Sequence, residues 1–266
     1  MIRGFRKARI AVAAIVLVMA AFIAVVWIFN RSVWYWPCVA TLAAIALGYS
    51  MANSVGKLVA NTENTKAINV LHESLDPEAF ISAYEAVARH MRKGTKDRAL
   101  CMAYLADGYA MKGDFEQAEA ILNEGFKGID RNDAMLTSFY ENELCTYCLA
   151  AGDITRAAES NRKLHEIRDG CRKTNPELVK NLAGSIEMLD AELAVEDGEA
   201  IDSGYWEKKA KDTTYRLHRL SIEKMLAKYA IRMGDAMLKD RMLTRLERDA
   251  GKTYLAEWAK NARKQK

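Results

Sequence analysis

Two uncharged runs open the chain, and a 3.6-residue rhythm carries the rest. Residues 10–29, IAVAAIVLVMAAFIAVVWIF, hold no charge. A helix of that length, rising about 1.5 Å per residue, reaches about 30 Å, the thickness of a bilayer core. Residues 33–51, VWYWPCVATLAAIALGYSM, form a second such run, separated from the first by Asn30, Arg31 and Ser32. Pro37 falls in the first turn after a cap at Ser32, where its missing N–H costs little. The pattern predicts a basic start and two transmembrane helices within residues 1–52. Trp27, Phe29, Trp34, Tyr35 and Trp36 crowd the turn between them, where amphipathic rings favour the membrane–water boundary.

Residues 53–66 are polar and read as a linker or an extension of the second helix. Across 67–266 apolar residues recur at three and four spacing. Short turns punctuate them at Asp76-Pro77, Lys93-Gly94, Gly113-Asp114, Gly152-Asp153, Asn175-Pro176, Gly198, Gly234-Asp235 and Gly251. No stretch alternates as a strand does. The fold class is therefore all-α. The turns return at intervals of roughly 35 to 45 residues, the mark of stacked helical hairpins.

The stretch Tyr104 to Leu122, YLADGYAMKGDFEQAEAIL, carries a more specific pattern: Leu105, small Ala106 and Tyr109, a turn at Gly113, aromatic Phe115, small Ala118 and large Leu122. Leu144, Cys145, Cys148, Gly152, Ile154 and Ala157 repeat it, and Phe80 and Ala83 repeat its second half. This resembles the tetratricopeptide repeat (TPR) family, strongly over about 70 residues and faintly beyond Asn175. Gly125 departs from the family's second alanine, and Lys239 stands where a small residue belongs. The resemblance implies a TPR-like α-solenoid of antiparallel helix pairs. Leu105, Tyr109, Gly113, Phe115, Ala118, Leu144, Gly152 and Ala157 would form its packing positions. First helices would line a concave protein-binding groove, with Ala103, Asp107, Asn142 and Thr146 facing it. The basic and asparagine set with which some members clamp a terminal carboxylate is absent at these places.

Charge divides the chain sharply. No Asp or Glu precedes Glu63, and five of the 39 Lys and Arg precede position 52, leaving 34 basic against 35 acidic residues. The net positive charge thus belongs to the N-terminal piece and is no nucleic-acid footprint. Arg3, Arg6, Lys7 and Arg9 before the first run, and Lys57 and Lys66 after the second, outnumber Arg31 between them. The positive-inside rule then places both termini in the cytoplasm, and the arrangement suits a bacterial inner membrane. A cleaved signal peptide shares the basic start, yet the apolar core exceeds the usual 7–15 residues and a second span follows at once. A single span with the large domain outside is the other alternative. Ala13, Ala14, Ala20 and Ala24, with Ala40, Ala43, Ala44 and Gly48, would permit close packing or homo-oligomers in lipid. Neither run contains an ionisable group of the kind that marks transport.

Candidate chemistry is sparse. Cys145 and Cys148 form a C-x-x-C, and with His165 and Cys171 would make a zinc set or, as a pair, a redox site. Both fall mid-helix where the repeat wants packed side chains, and a buried cysteine behaves as a small hydrophobe. Five cysteines without secreted-domain spacing argue for a reducing compartment. His72, His90 and His218 stand alone in helices. Glu141 with Glu143, and Glu196 with Asp197, read as solvated or capping carboxylates at turns or helix ends. No phosphate-binding or nucleophile-elbow motif occurs. Lys260, Arg263, Lys264 and Lys266 read as a solvated, frayed helix end, with contact to the anionic inner leaflet as the alternative. The expectation is a non-catalytic, cofactor-free, membrane-anchored adaptor, scaffold or assembly factor that binds other proteins. A metal or redox domain using Cys145 and Cys148 is the alternative, and a self-associating structural protein a third.

Overall fold

The computed structural model describes residues 2–29, 35–89 and 91–264, apart from the side chains at 2–9, 57, 59–61 and 63. The expected turn with its Ser32 cap and Arg31, together with Trp34, His90 and Lys266, lies outside the described residues. The chain is all-helical, with no strand among the described residues. Two compact units, Met1–Ile68 and Asn69–Lys266, make it up.

The first unit contains α1 (Ile2–Phe29) and most of α2 (Tyr35–His72). Within them Ile10–Phe29 and Tyr35–Gly56 are long and apolar enough to cross a membrane. Their large apolar side chains are uncovered, with Leu17 71% and Phe29 80% exposed, unlike the core helices of a water-soluble domain. Trp27 Nε1 donates to Thr41 Oγ1 over 3.1 Å, and Thr41 donates to the Pro37 carbonyl over 2.7 Å. Each polar group thereby finds a partner inside an apolar stretch. A Cβ on Gly48 would stand 3.2 Å from Met19 Cγ, so α1 and α2 approach closely there. The polar 53–66 stretch is an extension of α2. Ser54 and Thr62 hydroxyls bond to the carbonyls one turn back, at Ser50 and Leu58, and leave the helix intact.

The second unit runs through α3 (Pro77–Ala88), α4 (Lys96–Lys112), α5 (Phe115–Phe126), α6 (Ala134–Ala151), α7 (Ile154–Cys171), α8 (Pro176–Glu196), α9 (Ser203–Asp212), α10 (Arg216–Met233), α11 (Ala236–Asp249) and α12 (Tyr254–Lys264). The Gly-Asp dipeptides act twice. Gly113, Gly152 and Gly234 end α4, α6 and α10 in the left-handed conformation that only glycine adopts freely. Asp114, Asp153 and Asp235 then cap α5, α7 and α11, each accepting from the backbone N–H three residues on.

Sequential neighbours pack together from α3 through α8 and from α9 through α12. A second set of contacts joins alternate helices: α4 with α6, α6 with α8, α8 with α10, α10 with α12, and α12 back with α4. Ala106, Ala118 and Ala157 are fully buried where axes converge. Gly125, an oddity in sequence, has a packing reason: a Cβ there would lie 2.5 Å from Met102 Cβ, so α5 meets α4 backbone-close.

Closure of the unit rests on residues far apart in the chain. Leu75, fully buried and at φ 53°, sits against Gly251, whose absent Cβ would fall 2.8 Å from Leu75 Cβ. Lys252 N–H donates to the Leu75 carbonyl over 3.1 Å, and Lys252 Nζ reaches Asp76 at 2.6 Å. Arg216 donates to the Glu73 carbonyl at 3.4 Å and the Asp249 carbonyl at 2.6 Å. Phe115 and Tyr254 meet edge to face with centroids 5.1 Å apart.

Candidate functional site

The alternate helices α6, α8, α10 and α12, with Met111 of α4, line a half-open cavity of about 200 Å³. Asn142, Thr146, Ser185, Met188, Glu192, His218, Ser221, Lys224 and Tyr254 are on its wall. Thr146 and Ser221 hydroxyls are spent on the carbonyls of Asn142 and Leu217, one helical turn back. Lys224 Nζ donates to Tyr254 Oη over 3.1 Å. Behind it Lys228 joins Glu192 at 3.4 Å and Glu196 at 2.5 Å, and Arg232 joins Glu196 at 2.5 Å. Burial works against the Glu196 charge, but Lys228 and Arg232 outweigh it and hold its carboxyl below the usual range.

The four residues expected to face a groove are divided. Asn142 and Thr146 line the cavity. Ala103 is fully buried in the α4 packing, which corrects its groove-facing assignment. Asp107 is half-buried and not on the cavity wall. Tyr147 Oη donates to Asp107 Oδ1 over 2.6 Å, and Asp107 also bonds to the Glu143 carboxyl. Asn142 Nδ2 donates to Glu143 Oε1 over 3.2 Å. Burial, and then the neighbouring Glu143 carboxyl, raise Asp107 well above the usual carboxylate range; burial raises Glu143 too, against the lowering effect of its bonds to Asp107 and Asn142. Two carboxyls in hydrogen-bond contact share a proton.

Other readings also change. Glu141 and Glu143 are mid-helix in α6, not at a turn; Glu141 is buried, with Lys163 Nζ 3.6 Å away. Arg263 is pinned to α11 by Glu247, Asp240 and the Thr244 hydroxyl rather than frayed. Of the packing set, Leu105, Ala118, Leu144 and Ala157 are buried. Tyr109 and Phe115 are half-buried, and the Tyr109 hydroxyl donates to Glu85 over 3.2 Å. Gly113 and Gly152 form turns.

Cys145 and Cys148 are buried in α6. Cys145 Sγ bonds to the Ala157 carbonyl at 3.2 Å, and burial pushes its pKa up to about 12. Burial raises Cys148 as well. His165 is engaged by Asp190 at 2.8 Å. Among the described residues no group of three or more His, Cys, Asp and Glu is placed to hold a metal ion.

The charged wall at Lys224 escaped sequence reasoning because its members lie on α8, α10 and α12, where no motif marks them. The only sequence signal was the i, i+4 spacing of Lys224, Lys228 and Arg232 on one helix face. Comparison with known proteins gives no match: no family model, curated protein or solved structure matches this chain.

Proposed function

We propose that this chain is a membrane-anchored helical-repeat protein of the TPR kind, a non-catalytic adaptor, scaffold or assembly factor that holds a protein partner. The observation that carries the reading is the spacing of contacts between helices. Lys96 meets Asp133 and Arg156 meets Glu119, each 37 positions apart; Lys228 meets Glu192 at 36 and Arg241 meets Glu207 at 34. Bonds that recur at separations of 34 to 37 positions are what stacked hairpins need, since a single hairpin cannot bury both its apolar faces. The partner contacts Asn142 and Thr146 in the recess formed by alternate helices.

The uncovered apolar faces of α1 and α2 support anchoring in a bilayer. The basic start supports two spans with both termini in the cytoplasm of a bacterial cell.

Site-specific photocrosslinking in native membranes tests the reading. A photoreactive residue at Thr146 is expected to trap a defined protein, while one at Met237, which is 86% exposed on α11, traps none. The same products from both positions, or none from Thr146, would overturn it. Protease added to right-side-out cells is expected to spare residues 69–266; cleavage from outside would reverse the topology.

A further inference from the structure

We propose that the cavity among α6, α8, α10 and α12 is a binding site for a small carboxylate, held by the Lys224 ammonium with the Tyr254 hydroxyl as a further donor. The Lys224 side chain is only 5% exposed. An ammonium has three hydrogens to place, yet among the described residues Lys224 makes one hydrogen bond, to Tyr254 Oη. The nearest carboxylate, Glu192, stands 3.8 Å away, beyond hydrogen-bond reach, and is closer to Lys228. Lys228 also holds Glu196, which in turn takes Arg232. Three cations therefore share two carboxylates, and the surplus charge falls on Lys224, the cation on the cavity wall.

Burial alone would pull the Lys224 pKa down, but Tyr254 and Glu192 outweigh it, so the group stays an ammonium. The rings of Tyr254 and Trp258, 5.3 and 5.9 Å from Nζ, attract the cation without accepting its hydrogens in the plane of a true acceptor. A buried charge with an incomplete set of partners is a strong demand for an anion.

The rest of the wall fits that anion. Tyr254 Oη accepts from Lys224 and keeps its own proton to donate, so a planar carboxylate can bond to both groups at once. Met188 and Leu189 offer an apolar side for a short carbon chain. Glu192, the carboxylate on the wall, is held by Lys228 at 3.4 Å, and Asp107 and Glu143, whose charge would also oppose an anion, are not part of the wall. A volume of about 200 Å³ is below the roughly 300–1,000 Å³ of pockets for drug-sized ligands. A ligand of few atoms is therefore the fit. The inference stands on the cavity and does not rest on the partner-binding reading.

Calorimetry on the full chain in detergent tests it, with succinate as the probe, neutral succinamide as its isostere and inorganic phosphate as the competing anion. Succinate is expected to bind and succinamide not. Lys224→Met should weaken succinate about ten- to a hundredfold, the value of one charge-assisted hydrogen bond. Ser185→Asp, which adds a negative charge to the wall without touching Lys224, should weaken it comparably and decides the matter if Lys224→Met fails to fold. The proposal is overturned if no probe binds, if succinamide binds as well as succinate, if phosphate alone binds, or if succinate binding survives in the folded variants. Loss of crosslinking at Thr146 would leave this result untouched, so the two readings fail separately.

Discussion

Tyr147 Oη donates to Asp107 Oδ1 over 2.6 Å, from α6 to α4 and across forty positions of sequence. The Asp107 carboxyl at the other end of this bond contacts Glu143, which also accepts from Asn142 Nδ2, and three tyrosines stand around the pair: Tyr84 from α3, Tyr104 from α4 and Tyr147 from α6. Because folding raises both carboxyl pKa values, the folded unit binds more protons than the unfolded chain. Its stability contribution is complete below about pH 4, where both states are protonated, and declines as pH rises through the raised values. Asp107→Asn keeps an acceptor for Tyr147 and gives Glu143 a permanent donor. Thermal unfolding of this variant should show a flatter fall in Tm from about pH 4 to 8 and a higher midpoint at neutral pH. A tenfold change in proton affinity corresponds to about 1.4 kcal/mol. An unchanged slope would mean that the pair does not share its proton.

Ala118→Trp should overpack the fully buried contact between α5 and α4 and cost about 1–3 kcal/mol. Denaturant unfolding of the full chain measures it, and a midpoint equal to wild type would remove this alanine from the helix interface.

Two glycines make an opposed pair. Gly125→Ala sets a methyl 2.5 Å from Met102 Cβ and should destabilise by about 1–3 kcal/mol. Gly184→Ala, inside α8 with nothing within 4 Å of the added carbon, should stabilise by about 0.5–1 kcal/mol through helix propensity. Effects of the same sign at both positions would contradict the packing.

The thiols give a chemical test. With Cys145 buried and its pKa near 12, and Cys148 buried and raised, neither offers thiolate at pH 8. Native protein is expected to resist alkylation at both, with labelling only after denaturation, as followed by peptide mass spectrometry. Rapid native labelling of either would revive a redox role.

How far the sequence could be read follows from where each structural cause is located. Gly113-Asp114, Gly152-Asp153 and Gly234-Asp235 were legible as turns because stop and cap are adjacent and local. The turn at 213–215 was not, since Tyr215, at the cap position before α10, makes no side-chain capping bond and no Gly or Pro marks it. The polar 53–66 stretch stayed ambiguous because its Ser and Thr side chains suit loops as well as the back-bonded helix they form. Asn142 and Thr146, singled out by their position in the sequence pattern, line the cavity. The partial burial of Asp107 was not legible because it depends on Tyr147 and Glu143, tens of residues away. The excess charge at Lys224 was invisible for the same reason.

A row of helix pairs that touch only their sequence neighbours loosens from its two outermost members, which have one side uncovered. Here the seat of Leu75 on Gly251 and the packing of α12 on α4 make those outermost members each other's cover. The consequence is that the final helices belong to the same cooperative step as the first. Hydrogen exchange should protect the backbone of α12 as well as that of α4, and removing α12 should melt the start of the unit together with its end.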